Sequence, residues 1–138
     1  MLGELDHIAI AVSNLRAAKS LYCGALGFTH HAYETVQSQG VNVEVVMLGT
    51  LRVELLEPLD ANSPVFKHIQ KRGEGLHHLC FRVPDIRRAL KDLKEEGLQL
   101  IDAEPRIGEG GHLIAFVHPK STNGVLMELK QLVGKPHA

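Results

Sequence analysis

The sequence predicts an α+β fold in which one β-α-β-β-β unit occurs twice, as tandem modules of a single domain. Three observations support this prediction. The 138 residues suffice for one compact domain but are few for two. Strand-like alternation followed by helical spacing appears in both halves of the chain. Several residues also recur at matched positions, so we expect a pseudo-two-fold, curved β-sheet around a cleft, with helices outside.

The first repeat is expected to occupy about residues 4–58. Apolar and other residues alternate over residues 5–12 (LDHIAIAV), which is typical of a strand. Helical spacing follows over residues 15–26, where Ser13 or Asn14 is the expected N-cap and Gly27 the expected end. Three more stretches are predicted to form strands, at residues 28–35, 41–48 and 51–57.

A linker helix is predicted over about residues 63–73, because Ser63 provides a cap, Pro64 suits the first helical position and Gly73 suits the end. The second repeat is expected over about residues 75–132. It begins with an alternating strand, GLHHLCFRV, and continues with a helix over residues 86–96 that is capped by Asp85. The boundaries of the single domain are therefore placed at residues 1–138.

Histidine and glutamate residues recur at equivalent positions of the two repeats. Aligning DHIAIAV with HHLCFRV places His7 over His78, and aligning LRVEL with VLMEL places Glu54 over Glu128. Strand alternation puts all four on the polar faces of their strands. Two nitrogen and two oxygen donors suit Co²⁺, Ni²⁺, Mn²⁺, Fe²⁺ or Zn²⁺. The alternative is that these residues are structural and that the repeat reflects only common descent.

The overall composition is that of an ordinary globular protein, with 44% hydrophobic and 22% charged residues and a net charge of −1. Without a dense run of Lys or Arg, neither nucleic acid nor a membrane is an expected partner, and a small molecule is the better candidate. Two cysteines, Cys23 and Cys80, are too few for a disulfide framework. With no signal sequence recognised, a reducing, cytoplasmic location is expected.

Several segments together resemble methylmalonyl-CoA epimerases of the vicinal oxygen chelate (glyoxalase-like) superfamily along nearly the whole chain. They are DHIAIAV, VELLEPL, GEGLHHLCFRV and IGEGGHLIAFVHPKSTNGVLMEL. The pairing of GLHHL with HPKS-x-x-GVLMEL is narrower than the superfamily fold. The resemblance implies a homodimer whose substrate is a branched malonyl thioester of coenzyme A, inverted at C2. It also implies a divalent metal ion, with Co²⁺ as first candidate, held by His7, Glu54, His78 and Glu128.

Epimerisation requires a proton to leave C2 on one face and return on the other, through an enolate stabilised by metal. Glu128 is the first candidate for this acid–base role, in addition to its role as ligand. The second candidate is Glu44, which is offset by one residue from the glutamate that the resemblance implies. On a strand this offset turns the side chain to the other face, so a solvent-facing charge is an equal alternative to the acid–base role. Lys120 and Ser121 of the HPKS segment are candidate contacts for the coenzyme A phosphate or pantetheine arm, and a solvated turn is the alternative.

Other members of the superfamily suggest different functions. Glyoxalase I isomerises a hemithioacetal with a similar set of two His and two Glu, so the ligands alone do not separate it from an epimerase. A metal-free ligand-binding protein is a second alternative, which the presence of all four ligand types disfavours. Extradiol dioxygenases and fosfomycin-modifying enzymes use two His and one carboxylate, a pattern that would fit if Glu54 did not coordinate.

Overall fold

The computed structural model describes residues 1–134, so residues 135–138 of the predicted domain lie outside the described part. The chain forms two compact units. We call His7–His77 the first unit, and residues 1–6 together with those from His78 onward the second unit. Both unit boundaries fall within strands, since the N-terminal strand and the strand that follows the linker helix each contribute residues to both units. The boundaries of the single domain stay a prediction.

The first unit has the predicted β-α-β-β-β order followed by the linker helix. The elements are β1 (Leu5–Ala11), α1 (Leu15–Ser20), β2 (Thr29–Val36), β3 (Val41–Leu48), β4 (Leu51–Pro58) and α2 (Pro64–Arg72). The strands pair in the order β2-β3-β4-β1, with β1 parallel to β4 and the other pairs antiparallel.

The second unit repeats this topology. Its elements are β5 (Gly75–Arg82), α3 (Ile86–Glu95), β6 (Arg106–Ile107), β7 (Leu113–Val117) and β8 (Met127–Gln131). The strand order is β5-β8-β7-β6, with β5 parallel to β8 and the other pairs antiparallel. The predicted tandem α+β organisation is therefore confirmed within each unit.

The first helix of the first unit begins at Leu15, as predicted, but its α-helical part, Leu15–Ser20, is shorter than the predicted residues 15–26. Asn14, rather than Ser13, is its N-cap, and its side chain accepts a hydrogen bond from the Ala17 amide at 3.0 Å. After α1 the backbone widens into a π-helical turn at Leu21–Ala25. Gly27, with φ of 77°, follows as predicted and allows the left-handed conformation that ends a helix.

The helices α1 and α3, which we call the outer helices, begin at the same kind of contact. The Leu15 amide at the start of α1 donates to the Glu57 carboxylate at 2.8 Å, and the Ile86 amide at the start of α3 donates to the Gln131 side-chain oxygen at 2.9 Å. Glu57 and Gln131 each lie three residues after a repeat-related glutamate. The two units therefore anchor their helices through equivalent positions of their last strands.

Each outer helix packs on the apolar face of its own sheet. In the first unit, Leu15 of α1 contacts a cluster with Val46, Val53 and Leu55. In the second unit, α3 packs on a cluster that includes Val117 and Leu129. Side chains alternate along a strand, so the His7–Glu54 pair lies on the face of its sheet that is turned away from α1. The His78–Glu128 pair likewise lies on the face turned away from α3. The predicted placement of α1 and α3 away from the His–Glu pairs is confirmed within each unit. The linker helix α2 differs, because its Val65 packs with Ala9, Ala11 and Leu56, on the strand faces that carry His7 and Glu54.

The second repeat is less regular than the first, because β6 has two residues where β2 has eight. Pro105 precedes β6, and Gly108, Gly110 and Gly111 follow it. Gly108 is required for space, because an added Cβ would lie 2.9 Å from the Ile114 side chain.

The described residues contain no helix with the length and apolar character needed to cross a bilayer.

The capping residue of α3 provides a test of the predicted helix start. Asp85 accepts a hydrogen bond from the Arg88 amide at 3.1 Å. We expect Asp85→Ala to lower the free energy of unfolding by about 1 kcal/mol, because an amide at the helix start loses its acceptor. Urea denaturation measures this loss. The matched control is Asp92→Ala on the same helix, where only a surface ion pair is lost. Equal losses in the two variants would contradict the capping role.

Candidate active site

The first unit contains a buried pair formed by His7 and Glu54. His7 Nδ1 lies 3.2 Å from Glu54 Oε2, and the same carboxylate oxygen accepts a hydrogen bond from Arg52 Nε at 3.3 Å. His7 and Glu54 are 3% and 4% exposed. A buried carboxylate needs such partners, because its charge is poorly solvated in the interior. The pair therefore presents one nitrogen and one oxygen donor from neighbouring strands.

The second unit contains the repeat-related pair of His78 and Glu128, and both residues are buried. His78 Nε2 lies 2.9 Å from Glu128 Oε1. The two atoms are within hydrogen-bond distance, so this pair also presents one nitrogen and one oxygen donor from neighbouring strands.

Strand register explains why the two pairs match. In the first unit Ala9 lies opposite Glu54 on the parallel strand, and His7 is two residues before Ala9. In the second unit Cys80 lies opposite Glu128, and His78 is two residues before Cys80. Residues two apart on a strand share a face. The same register therefore brings a histidine of the first strand to a glutamate of the last strand in each unit.

The chemistry of these side chains fits a divalent transition metal. Imidazole nitrogen and carboxylate oxygen are both suitable donors for Co²⁺, Ni²⁺, Mn²⁺, Fe²⁺ or Zn²⁺. All four side chains are also buried, so their donor atoms are shielded from solvent. Each unit therefore holds a His–Glu group of the kind that binds metal.

A network of buried charges, not anticipated from the sequence, lies on the same face of β8 as Glu128. Lys130 is 3% exposed, and its Nζ lies 3.0 Å from an Asp6 carboxylate oxygen and 3.8 Å from Glu109. Arg82 Nε donates to the other Asp6 oxygen at 2.7 Å. Alternation along β8 predicts that Lys130 shares the face of Glu128, but it does not identify the carboxylates that neutralise it.

Glu44 lies away from the His7–Glu54 pair. In the pairing of β3 with β4, Glu44 is opposite Leu55 and so on the face covered by α1, whereas Glu54 is opposite Val45. The Glu44 carboxylate contacts His30 Nδ1 and lies 3.9 Å from Lys19 Nζ. It is only 2% exposed, so it is not a solvent-facing charge either. The one-residue offset noted in the sequence therefore turns the Glu44 side chain to the other strand face, as expected. An acid–base role for Glu44 stays a prediction.

Lys120 and Ser121 lie in a 3₁₀ turn, Pro119–Ser121, between β7 and β8. The His118 side chain caps this turn by accepting the Lys120 amide hydrogen bond at 3.0 Å. Ser121 Oγ accepts a hydrogen bond from the Gln99 amide at 2.8 Å, so this hydroxyl also fixes the local backbone. The Lys120 side chain is exposed. Contact of either residue with substrate stays a prediction.

His68 and His77 form a further histidine contact in the first unit. Their ring centroids are 4.7 Å apart and the rings are nearly perpendicular. Burial lowers the pKa of His68, and the positive charge of Arg72 lowers it further, while a hydrogen bond with the Leu76 backbone opposes the change. These histidines lie outside the repeat-related His–Glu pairs.

Comparison with known proteins identifies the family. The profile of the Glyoxalase/Bleomycin resistance protein/Dioxygenase superfamily matches residues 6–116. The ethylmalonyl-CoA/methylmalonyl-CoA epimerase of Cereibacter sphaeroides is 40% identical, over 96% of this chain and 100% of its own length. The mitochondrial methylmalonyl-CoA epimerase of Mus musculus is 40% identical, over 94% of this chain and 74% of its own.

The fold agrees with this relationship. A solved structure of methylmalonyl-CoA epimerase in complex with methylmalonyl-CoA and NH₄⁺ superimposes with a TM-score of 0.92 at 34% identity, covering 97% of each chain. This similarity extends well beyond the segments that hold the His–Glu pairs. The chain therefore belongs to the Glyoxalase/Bleomycin resistance protein/Dioxygenase superfamily and, within it, to the methylmalonyl-CoA epimerases.

Proposed function

We propose that this chain interconverts the R and S forms of methylmalonyl-CoA by epimerisation at C2, with the help of a divalent metal ion. Membership of the epimerase family supports the reaction. The observation that carries the proposal for this chain is the pair of repeat-related, buried His–Glu contacts, at 3.2 Å in the first unit and 2.9 Å in the second.

The proposed metal ligands are His7, Glu54, His78 and Glu128, which together would hold one ion. Co²⁺ is the first candidate, and Ni²⁺, Mn²⁺, Fe²⁺ and Zn²⁺ suit the same donors. Coordination would place the four donor atoms about 2.0–2.3 Å from the ion. A divalent cation supplies positive charge where the enolate oxygen becomes negative.

Glu128 is the proposed base that removes the C2 proton, because its carboxylate accepts hydrogen bonds and lies on a buried strand face. Glu44 remains the predicted group that returns the proton on the other face of the carbon. Its side chain lies on the face covered by α1, whereas Glu54 lies on the opposite face, so Glu44 would not act from a position beside Glu54. Lys120, with its exposed ammonium group, is the proposed contact for a coenzyme A phosphate, with Ser121 beside it.

Exchange of the C2 hydrogen with solvent tests the function directly. We expect the Co²⁺-loaded protein to incorporate deuterium at C2 of methylmalonyl-CoA, and the chelator-treated protein to lose this exchange and regain it when Co²⁺ is restored. The hemithioacetal of methylglyoxal and glutathione serves as the control substrate, and we expect no turnover of it. Preferential turnover of the hemithioacetal would assign a glyoxalase activity instead. Exchange that survives complete metal removal would exclude the metal-dependent mechanism.

The assembly and location of the protein follow the same proposal. We propose a homodimer, as the sequence resemblance implies, and a cytoplasmic location like that expected for a bacterial epimerase. Light scattering of the purified protein at several concentrations tests the first statement, and cell fractionation tests the second.

A further inference from the structure

The imidazole of His78 packs against an aromatic side chain from another strand. The centroids of the His78 and Phe116 rings are 5.2 Å apart, and the ring planes are perpendicular. Phe116 of β7 lies opposite Glu128 of β8, so Phe116 and Glu128 share one face of the sheet. Phe116 is therefore next to both members of the His–Glu pair of the second unit.

Phe116 also contacts two charged residues, Asp102 through its backbone amide and Arg106 through its ring. Asp102 accepts a hydrogen bond from the Phe116 amide at 2.8 Å, which fixes the backbone that carries the ring. The other oxygen of Asp102 accepts a hydrogen bond from Arg106 Nε at 3.0 Å. The Arg106 guanidinium carbon then lies 5.8 Å from the centroid of the Phe116 ring, within the range of a cation–π contact.

These contacts constrain His78 in complementary ways. The contact between Nε2 and Glu128 sets the direction of one ring atom. A perpendicular aromatic neighbour restricts rotation of the imidazole plane about that direction, because such ring pairs have a preferred geometry. Metal coordination requires the lone pair of a ring nitrogen to point at the ion, so the orientation of a histidine ligand affects binding.

We infer that Phe116 is a positioning residue that orients the His78 imidazole, and that Asp102 and Arg106 hold Phe116 in place for this purpose. The consequence for metal binding rests on the proposed function, in which His78 is a ligand. The orientation of the ring does not rest on it, because His78 makes the contacts with Phe116 and Glu128 within the chain itself. The two statements can therefore be tested separately.

The first test observes the His78 ring in metal-free protein. Long-range ¹⁵N–¹H spectra of the imidazoles, with His78 assigned from a His78→Gln variant, report ring order and tautomer. We expect one sharp set of His78 signals in the unmodified protein. We expect Phe116→Leu to broaden these signals or to show both tautomers, and Phe116→Tyr, which keeps the ring, to restore them. An unchanged His78 spectrum in Phe116→Leu would overturn the inference.

The second test measures Co²⁺ binding to the metal-free protein by calorimetry. We expect Phe116→Leu to weaken binding about tenfold, at the lower end of the effect of residues that support metal ligands. We expect Arg106→Gln, which keeps the ring but removes the cation above it, to weaken binding about threefold. Arg106 is 35% exposed, so its variant gives both readouts even if Phe116→Leu fails to fold.

The matched control is Phe28→Leu. Phe28 makes a similar contact with Tyr22, with centroids 5.4 Å apart and an angle of 70°, but neither residue belongs to a His–Glu pair. We expect this variant to lose stability without changing Co²⁺ affinity. If Phe28→Leu weakens Co²⁺ binding as much as Phe116→Leu does, the effect is general destabilisation and the inference is wrong. Failure of the unmodified protein to exchange the C2 hydrogen would refute the proposed function, while the His78 spectra would still decide the positioning role.

Discussion

Glu128→Gln is expected to lower C2 hydrogen exchange by about 10²–10⁴-fold, the usual cost of losing a positioned general base. The amide that replaces the carboxylate cannot take up the C2 proton. Glu54→Gln is expected to keep bound metal and much of the rate, because an amide oxygen still coordinates a divalent cation. The resemblance implies that position 54 accepts either Gln or Glu, whereas Glu128 lies in the motif GVLMEL.

The two variants form a matched pair, because each replaces a buried glutamate that contacts a histidine. Bound metal, measured by elemental analysis at saturating Co²⁺, separates loss of the ion from loss of the base. We expect C2 exchange to fall much further than metal content in Glu128→Gln. Equal losses of exchange in the two variants, or an inactive Glu54→Gln beside an active Glu128→Gln, would show that the proposed roles are wrong.

Lys130→Met is expected to lower the free energy of unfolding by about 3 kcal/mol, because it breaks a buried ion pair and leaves one oxygen of the Asp6 carboxylate without its cationic partner. The Asp6 side chain is 1% exposed and depends on Lys130 and Arg82 for neutralisation. Since Arg82 remains, we place the loss at the lower end of the range for broken buried pairs. Urea denaturation of metal-free protein measures it without a contribution from bound metal.

Two controls define the origin of this loss. Asp6→Leu combined with Lys130→Met removes both charges, and we expect it to recover part of the stability, since apolar replacements of buried pairs are often tolerated. Lys91→Met breaks only an exposed pair with Glu95, 4.0 Å apart, and should change stability by less than about 0.5 kcal/mol. If Lys130→Met were as mild as Lys91→Met, the Asp6–Lys130 contact would not be a significant source of stability.

The faces of the strands could be predicted from the sequence because side chains alternate with a period of two. This rule placed His7, Glu54, His78 and Glu128 on the faces opposite α1 and α3, as the structure has them. The same rule signalled that Glu44 was turned to the other face, where it contacts His30. Alternation is a local property, so these directions did not depend on knowing which strands pair.

Partners distant in sequence could not be predicted in the same way. Lys130 contacts Asp6 across a separation of 124 residues, and no local pattern connects them. The contact of Phe116 with Arg106 depends on the two-residue strand β6, which was not expected from the longer strand of the first repeat. Proline and glycine around β6 shorten the strand, so a repeat identified from its ends did not define its middle.

The helix anchors at Glu57 and Gln131 show what duplication retained in this protein. One unit uses an anion to accept the amide hydrogen bond at the helix start and the other uses a neutral amide, at 2.8 Å and 2.9 Å. The shared property is an oxygen acceptor at the right reach, and net charge differs between the copies. Alignments of duplicated units are therefore more informative when they score hydrogen-bonding capacity as well as charge. By that criterion, the positions that match between the two copies extend three residues beyond Glu54 and Glu128, to Glu57 and Gln131.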